Sequence, residues 1–161
     1  MTRMIEKHTA ATFFLAAALV CMATGQVRAA TDLQLAPDLS FTDDSSSNFP
    51  IAGKALGEGT VAQDRATILF FGTAHCWNTN REAERLVTLY PKYRDKIDFV
   101  IVDLDHPSPA QRQLTARYYR GFIPTITVID SKGDVIYNRA GETGGSRGDT
   151  SKLEALLNSA K

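Results

Sequence analysis

The stretch FFGTAHCWNTN, residues 70–80, sets a thiol between an imidazole and an indole, with a hydroxyl three positions on: His75, Cys76, Trp77 and Thr79. Cysteine does its chemistry as a thiolate, which attacks disulfides and binds soft metals. An imidazolium beside Cys76 favours that thiolate, and histidine titrates near neutrality. The plainer reading has His75 facing solvent beside the thiol, and both readings stand. Inert burial of Cys76 as a small hydrophobe fits poorly with polar neighbours such as His75, Asn78 and Thr79. A closed metal site fits poorly as well. His75, His106 and one cysteine lack the number and spacing of zinc ligands, and a copper carrier wants a second cysteine. No metal is expected, and His106, next to Pro107, reads as a loop histidine capping a strand end.

The cysteine count sharpens the question. The chain of 161 residues has two cysteines, Cys21 and Cys76. Cys21 lies in AATFFLAAALVCMA (10–23), an apolar run preceded by Arg3 and Lys7 and followed by the small-residue sequence VRAA (27–30). That pattern is expected to be a cleavable signal peptide over residues 1–29, too short for a comfortable membrane span of ~20 residues. Its removal leaves 132 residues and a single thiol in an oxidising compartment, unable to form an internal disulfide. Such a leftover cysteine implies intermolecular pairing or a free reactive thiol. The remaining 15 basic and 17 acidic residues give a net charge near −2 with no basic cluster. Nucleic acid, and stable membrane association once the signal is cleaved, are therefore not expected.

The elements that must position Cys76 follow from patterning. TDDSSSNFP (42–50) is small, polar and turn-prone, so residues 30–48 read as a flexible tether ahead of a domain over 49–161. ATILFFGT (66–73) is a continuous apolar run suited to a buried central strand. NREAERLVTLYPKY then shows helical spacing, with Ala83, Leu86, Val87 and Tyr90 on one face and Arg81, Glu82, Glu84 and Arg85 mostly elsewhere. Pro91 is expected to end or kink that helix. IDFVIVDLD (97–105) is a second strand, and Ser108 and Pro109 open a short helix. IPTITVID (123–130) and VIYNRAG (135–141) form a hairpin across SKGD, and Leu153, Leu156 and Leu157 mark a last helix. The order β-α-β-α-β-β-α makes helix-linked strands parallel and the final pair antiparallel.

That order, with ILFFGTAHCWNT after the first strand, DFVIVDLD, and GFIPTITVIDSKGDVIYNRAG, resembles the thioredoxin-like superfamily over roughly residues 66–161. The resemblance implies an α/β fold with a central mixed sheet of four to five strands flanked by helices. It implies that Pro124 is a cis proline facing the nucleophile across a groove, that Ile123 offers backbone groups to an extended substrate segment, and that Cys76 is the nucleophile. The start of a helix supplies free N–H groups and partial positive charge, which favour a thiolate.

The departures matter as much. Thr79 stands where the family's resolving cysteine belongs; it offers a hydroxyl to the thiolate and cannot expel a bound product. Phe70 takes the place of the buried acid and Ile101 that of its lysine partner, which removes a proton relay and argues against an efficient dithiol reductase. A peroxiredoxin reading fails because the order is Cys-x-x-Thr, not Thr-x-x-Cys. Two functions remain. One is monothiol thiol–disulfide exchange through Cys76, resolved by an external thiol. Its partners would be protein thiols or disulfides, with glutathione as a conceivable co-substrate and no cofactor, in the periplasm or secreted. The alternative is a redox-inactive binding module in which Trp77, Ile123 and Pro124 hold a partner. Arg-Gly-Asp at 147–149 is assigned no role.

Overall fold

The computed structural model describes residues 33–53, 59–141, 144–146 and 148–160. The signal-peptide expectation over 1–29 lies outside them. Two short strands, β1 (Gln34–Leu35) and β2 (Ile51–Ala52), precede β3 (Ala66–Gly72), α1 (Trp77–Tyr93), β4 (Ile97–Asp103), α2 (Pro109–Tyr118), β5 (Thr125–Ile129), β6 (Val135–Ala140) and α3 (Ser151–Ser159). The main sheet has the order β4-β3-β5-β6. β3 pairs in parallel with β4, Ala66 opposite Ile97 through Gly72 opposite Asp103. It pairs antiparallel with β5, which in turn pairs antiparallel with β6. This connectivity is thioredoxin-like, as the motifs imply.

Every residue of β3 is buried, which explains its unbroken apolar run. Alternate side chains feed two cores. Ile68 and Phe70 join Phe99, Ile126 and Val128 of the sheet under Leu86, Tyr90 and Tyr93 of α1 and Leu153 and Leu157 of α3. Leu69 and Phe71 join Val100, Val102 and Ile129 under Leu114 and Tyr118 of α2. The result is a helix–sheet–helix sandwich whose middle strand delivers the chain to Cys76. The ring of Phe70 meets that of Phe49 edge-on at 6.3 Å, so apolar packing fills the position where the thioredoxin-like resemblance would imply an acid.

Helix α2 begins as read: Ser108 Oγ accepts from Gln111 N, and Gln111 Oε1 accepts from Ser108 N, a reciprocal cap with Pro109 at the first helical position. Gln111 Nε2 also donates to Ile101 O at 2.8 Å, tying α2 to β4.

Helix-linked strands are not all parallel as expected: β5 follows α2 but starts at the Gly72 end of the sheet, Thr125 opposite Phe71, and so runs antiparallel to β3. Three further readings need correction. Pro91 does not end α1, the first of the two alternatives: the helix continues to Tyr93, because Tyr90 and Tyr93 are both core residues and the Tyr93 hydroxyl donates to Asn158 Oδ1 at 2.8 Å. Glu82 and Arg85, placed off the buried face by their polarity, are each 3% exposed and pair at 3.0 Å. The stretch read as a tether packs from residue 33 onward. Leu33 is a core residue, β1 pairs with β2, and Ala36 N donates to Pro50 O at 2.8 Å. Residues 40–46 then lie along the first turns of α1: Asn80 Nδ2 donates to Ser40 O at 2.6 Å and Ser46 Oγ at 2.9 Å, and Arg81 Nε to Phe41 O at 3.0 Å. The serines and aspartates that looked like linker close local turns, with Asp43 N on Ser40 Oγ and Ser45 N on Asp43 Oδ1.

Candidate active site

The chain leaves β3 at Gly72 and reaches the helix in four residues. Two bonds from outside hold that turn: Leu104 N donates to Gly72 O at 2.9 Å, and Ala74 N to Asp105 Oδ2 at 3.1 Å. His75 adopts a left-handed backbone, φ 53°, and its side chain is exposed, which is the solvent-facing alternative. Histidine is one of the few residues with a side chain that is enriched there. Cys76 then returns to extended backbone (φ −139°, ψ 103°) as the N-cap of α1, and its carbonyl accepts the first helical bond from Asn80 N at 3.1 Å.

Capping residues normally spend their side chain on the free N–H groups of the first turn. Cys76 makes no such bond; its thiol is free and half-buried. An aspartate from the N-terminal segment does part of that work instead, Asp44 Oδ1 accepting from Trp77 N at 3.0 Å. The thiol is therefore placed at a helix N-terminus and left uncommitted.

Thr79 does not serve the sulfur as expected. It is fully buried, and its Oγ1 has no hydrogen-bond partner. Its Cγ2 methyl lies against Gly72, where an added Cβ would come within 2.4 Å. The methyl thus faces the strand and packs the helix start down on it, and the hydroxyl makes no bond to Cys76. Trp77 is half-buried, with the Arg81 guanidinium 3.9 Å from its ring centroid. One indole face is thereby covered, so Trp77 offers less open surface than its sequence position suggests.

The Ile123–Pro124 peptide bond is cis. Pairing of Phe71 with Thr125 brings Pro124 to the same end of the sheet as Gly72 and the Cys76 turn. Pro124 is buried, Ile123 half-buried, and Pro124 O accepts from Gly141 N at 2.8 Å. A Cβ on Gly141 would lie 2.7 Å from Glu82 Oε2 and 2.8 Å from Pro124 Cγ, so the proline loop, the post-β6 turn and α1 meet closely there. Phe122, two residues before the proline, is 68% exposed, the largest exposure among the described large apolar side chains. It stands inside the GFIPT motif and was not singled out from sequence, where a phenylalanine beside a strand reads as core. His106 follows Asp105, which bonds this turn, and its own Nδ1 lies 3.2 Å from Asp103 Oδ2 at the end of β4.

No family model and no curated protein matches this chain. Among solved structures it is similar to the germline-specific thioredoxin Deadhead of Drosophila melanogaster, at 21% identity and a TM-score of 0.47, over 61% of this chain and 83% of that one. An uncharacterised thioredoxin-like protein from Clostridium perfringens gives 21% and 0.48, over 62% and 74%. A Malassezia sympodialis thioredoxin gives 21% and 0.47, over 62% and 77%. The thioredoxin-like fold is read from the strand order and connectivity of the sheet.

Proposed function

We propose that this chain is a monothiol thiol–disulfide exchanger acting outside the cytoplasm, with Cys76 as its nucleophile. The observation that carries the reading is the uncommitted Cys76 side chain at the N-terminus of α1, at the sheet end where the Ile123–Pro124 bond lies. In the forward step the Cys76 thiolate attacks one sulfur of a partner disulfide. A Cys76–sulfur bond forms, the partner's sulfur–sulfur bond breaks, and the departing thiolate takes a proton from solvent. Cys76 is thereby oxidised to the mixed disulfide and the departing sulfur is reduced. Thr79 has no sulfur to reverse this, so an external thiolate attacks the partner's sulfur, forms a disulfide with it, and breaks the bond to Cys76, which leaves as thiolate. Ile123 backbone groups and Pro124 align the partner segment, and no proton relay through Phe70 takes part.

The test is reaction of the full chain with the neutral 2-hydroxyethyl disulfide, followed by peptide mass mapping. A mixed disulfide mapped to Cys76, absent in Cys76→Ser and removed by excess thiol, is the expected result. A folded protein whose Cys76 remains unmodified would overturn the reading. The exposed Phe122 favours the second reading in that event, a binding module using the proline loop.

A further inference from the structure

The two backbone amides that flank His75 and Cys76 are both held by carboxylates from outside the turn. Asp105, in the β4–α2 loop, takes Ala74 N at 3.1 Å, and Asp44, in the N-terminal segment, takes Trp77 N at 3.0 Å. The two acids approach from elements 61 positions apart in sequence, and both remain exposed to solvent. Asp43 adds a third carboxylate next to Asp44. The basic side chains close in sequence to the two acids and the thiol are His75, Arg81 and His106; the Arg81 guanidinium is engaged by the Trp77 ring and by Phe41 O, and His106 Nδ1 lies 3.2 Å from Asp103 Oδ2. An incoming disulfide thus meets a thiol whose turn is bracketed by negative charge.

Building on the reading of Cys76 as an exchange nucleophile, we propose that Asp44 and Asp105 are specificity-determining residues that select neutral or cationic disulfides and thiols over anionic ones. The natural partner is then a protein segment carrying lysine or arginine next to its cysteine, and anionic glutathione is a poor resolving thiol. The bonding step is the exchange already described. The carboxylates act on the charge carried beside the reacting sulfurs, and that interaction extends through water over a screening length of about 30 Å at 0.01 M salt and about 3 Å at 1 M.

The test compares second-order rate constants of the full chain at Cys76 with three disulfides of differing charge: cystamine (cationic), 2-hydroxyethyl disulfide (neutral) and 3,3′-dithiodipropionate (anionic). Asp44→Asn and Asp105→Asn keep a side-chain oxygen to accept the amide bond and remove only the charge. The expected result is a cationic-to-anionic rate ratio of about tenfold or more at low salt, falling about twofold to fivefold in each variant and collapsing at 1 M salt. A structural capping role alone would change all three rates together and leave their ratio fixed. Reaction of Cys76 with all three disulfides at one rate, or a ratio untouched by both variants, would overturn the charge selection while leaving the exchanger reading intact. Failure of Cys76 to react with any of them would overturn both.

Discussion

At the scale of single residues, the site is defined by what each side chain is prevented from doing. Cys76 caps a helix without spending its sulfur, while Thr79 spends its methyl on Gly72 and leaves its hydroxyl unpaired in the interior. A buried hydroxyl without a partner is a cost, so Thr79→Val, of matching shape, should be neutral or stabilising by up to ~1 kcal/mol in denaturant unfolding. It should leave the Cys76 exchange rate unchanged; a marked fall in rate would show that the hydroxyl serves the sulfur after all. Gly72→Ala should destabilise by about 1–3 kcal/mol, because the new methyl would overlap Thr79 where strand and helix are closest. Thermal unfolding of the variant reads that loss directly.

Elements meet at two seams, and each has a separable contribution. The N-terminal segment is fixed to α1 by Asn80, whose amide donates to Ser40 and Ser46, so Asn80→Ala should cost about 1–3 kcal/mol and expose residues 33–48 to protease. Inside α1, the Glu82–Arg85 pair is almost wholly buried at the meeting point with Gly141. Arg85→Met alone leaves a buried carboxylate facing an apolar side chain, and about 3–5 kcal/mol should be lost in urea unfolding; replacing both partners by apolar residues should recover much of it. The acid limb of stability follows from the turns. Hydrogen bonds from Ser45 and Ser40 hold the Asp43 carboxyl below its usual value, and those from Ser151 do the same for Asp149 before α3. For a depressed carboxyl the stabilisation is complete above the unfolded value of 3.8 and fades as pH falls through the lower folded value. Acidification below that range should therefore loosen residues 40–46. Trp77, the sole tryptophan, which bonds Asp44, reports it by fluorescence, and Asp43→Asn should flatten the response.

Across the whole molecule, what the sequence disclosed and what it withheld divide along the same line as apolar and polar packing. β3 and β4 were legible because strands buried on both faces leave unbroken runs such as ATILFFG, and the proline loop because GFIPT sits just ahead of a strand. The Glu82–Arg85 pair and the packed segment from Leu33 to Asn48 were not, because polarity alone predicts solvent; their burial depends on partners far along the chain, Gly141 for the one and Asn80 and Arg81 for the other. Asp44 and Asp105 belong to the same class: nothing local says that they reach the two amides beside Cys76. Among the described residues the molecule is a helix–sheet–helix sandwich that presents one thiol, Cys76, with a threonine at position 79. Its central claim is best tested by catalysed reduction of 2-hydroxyethyl disulfide under an excess of an external monothiol. The wild-type chain should accelerate the reaction and Cys76→Ser should not, with a rate that rises with the external thiol because resolution comes from outside. Equal rates with wild type and Cys76→Ser would contradict it.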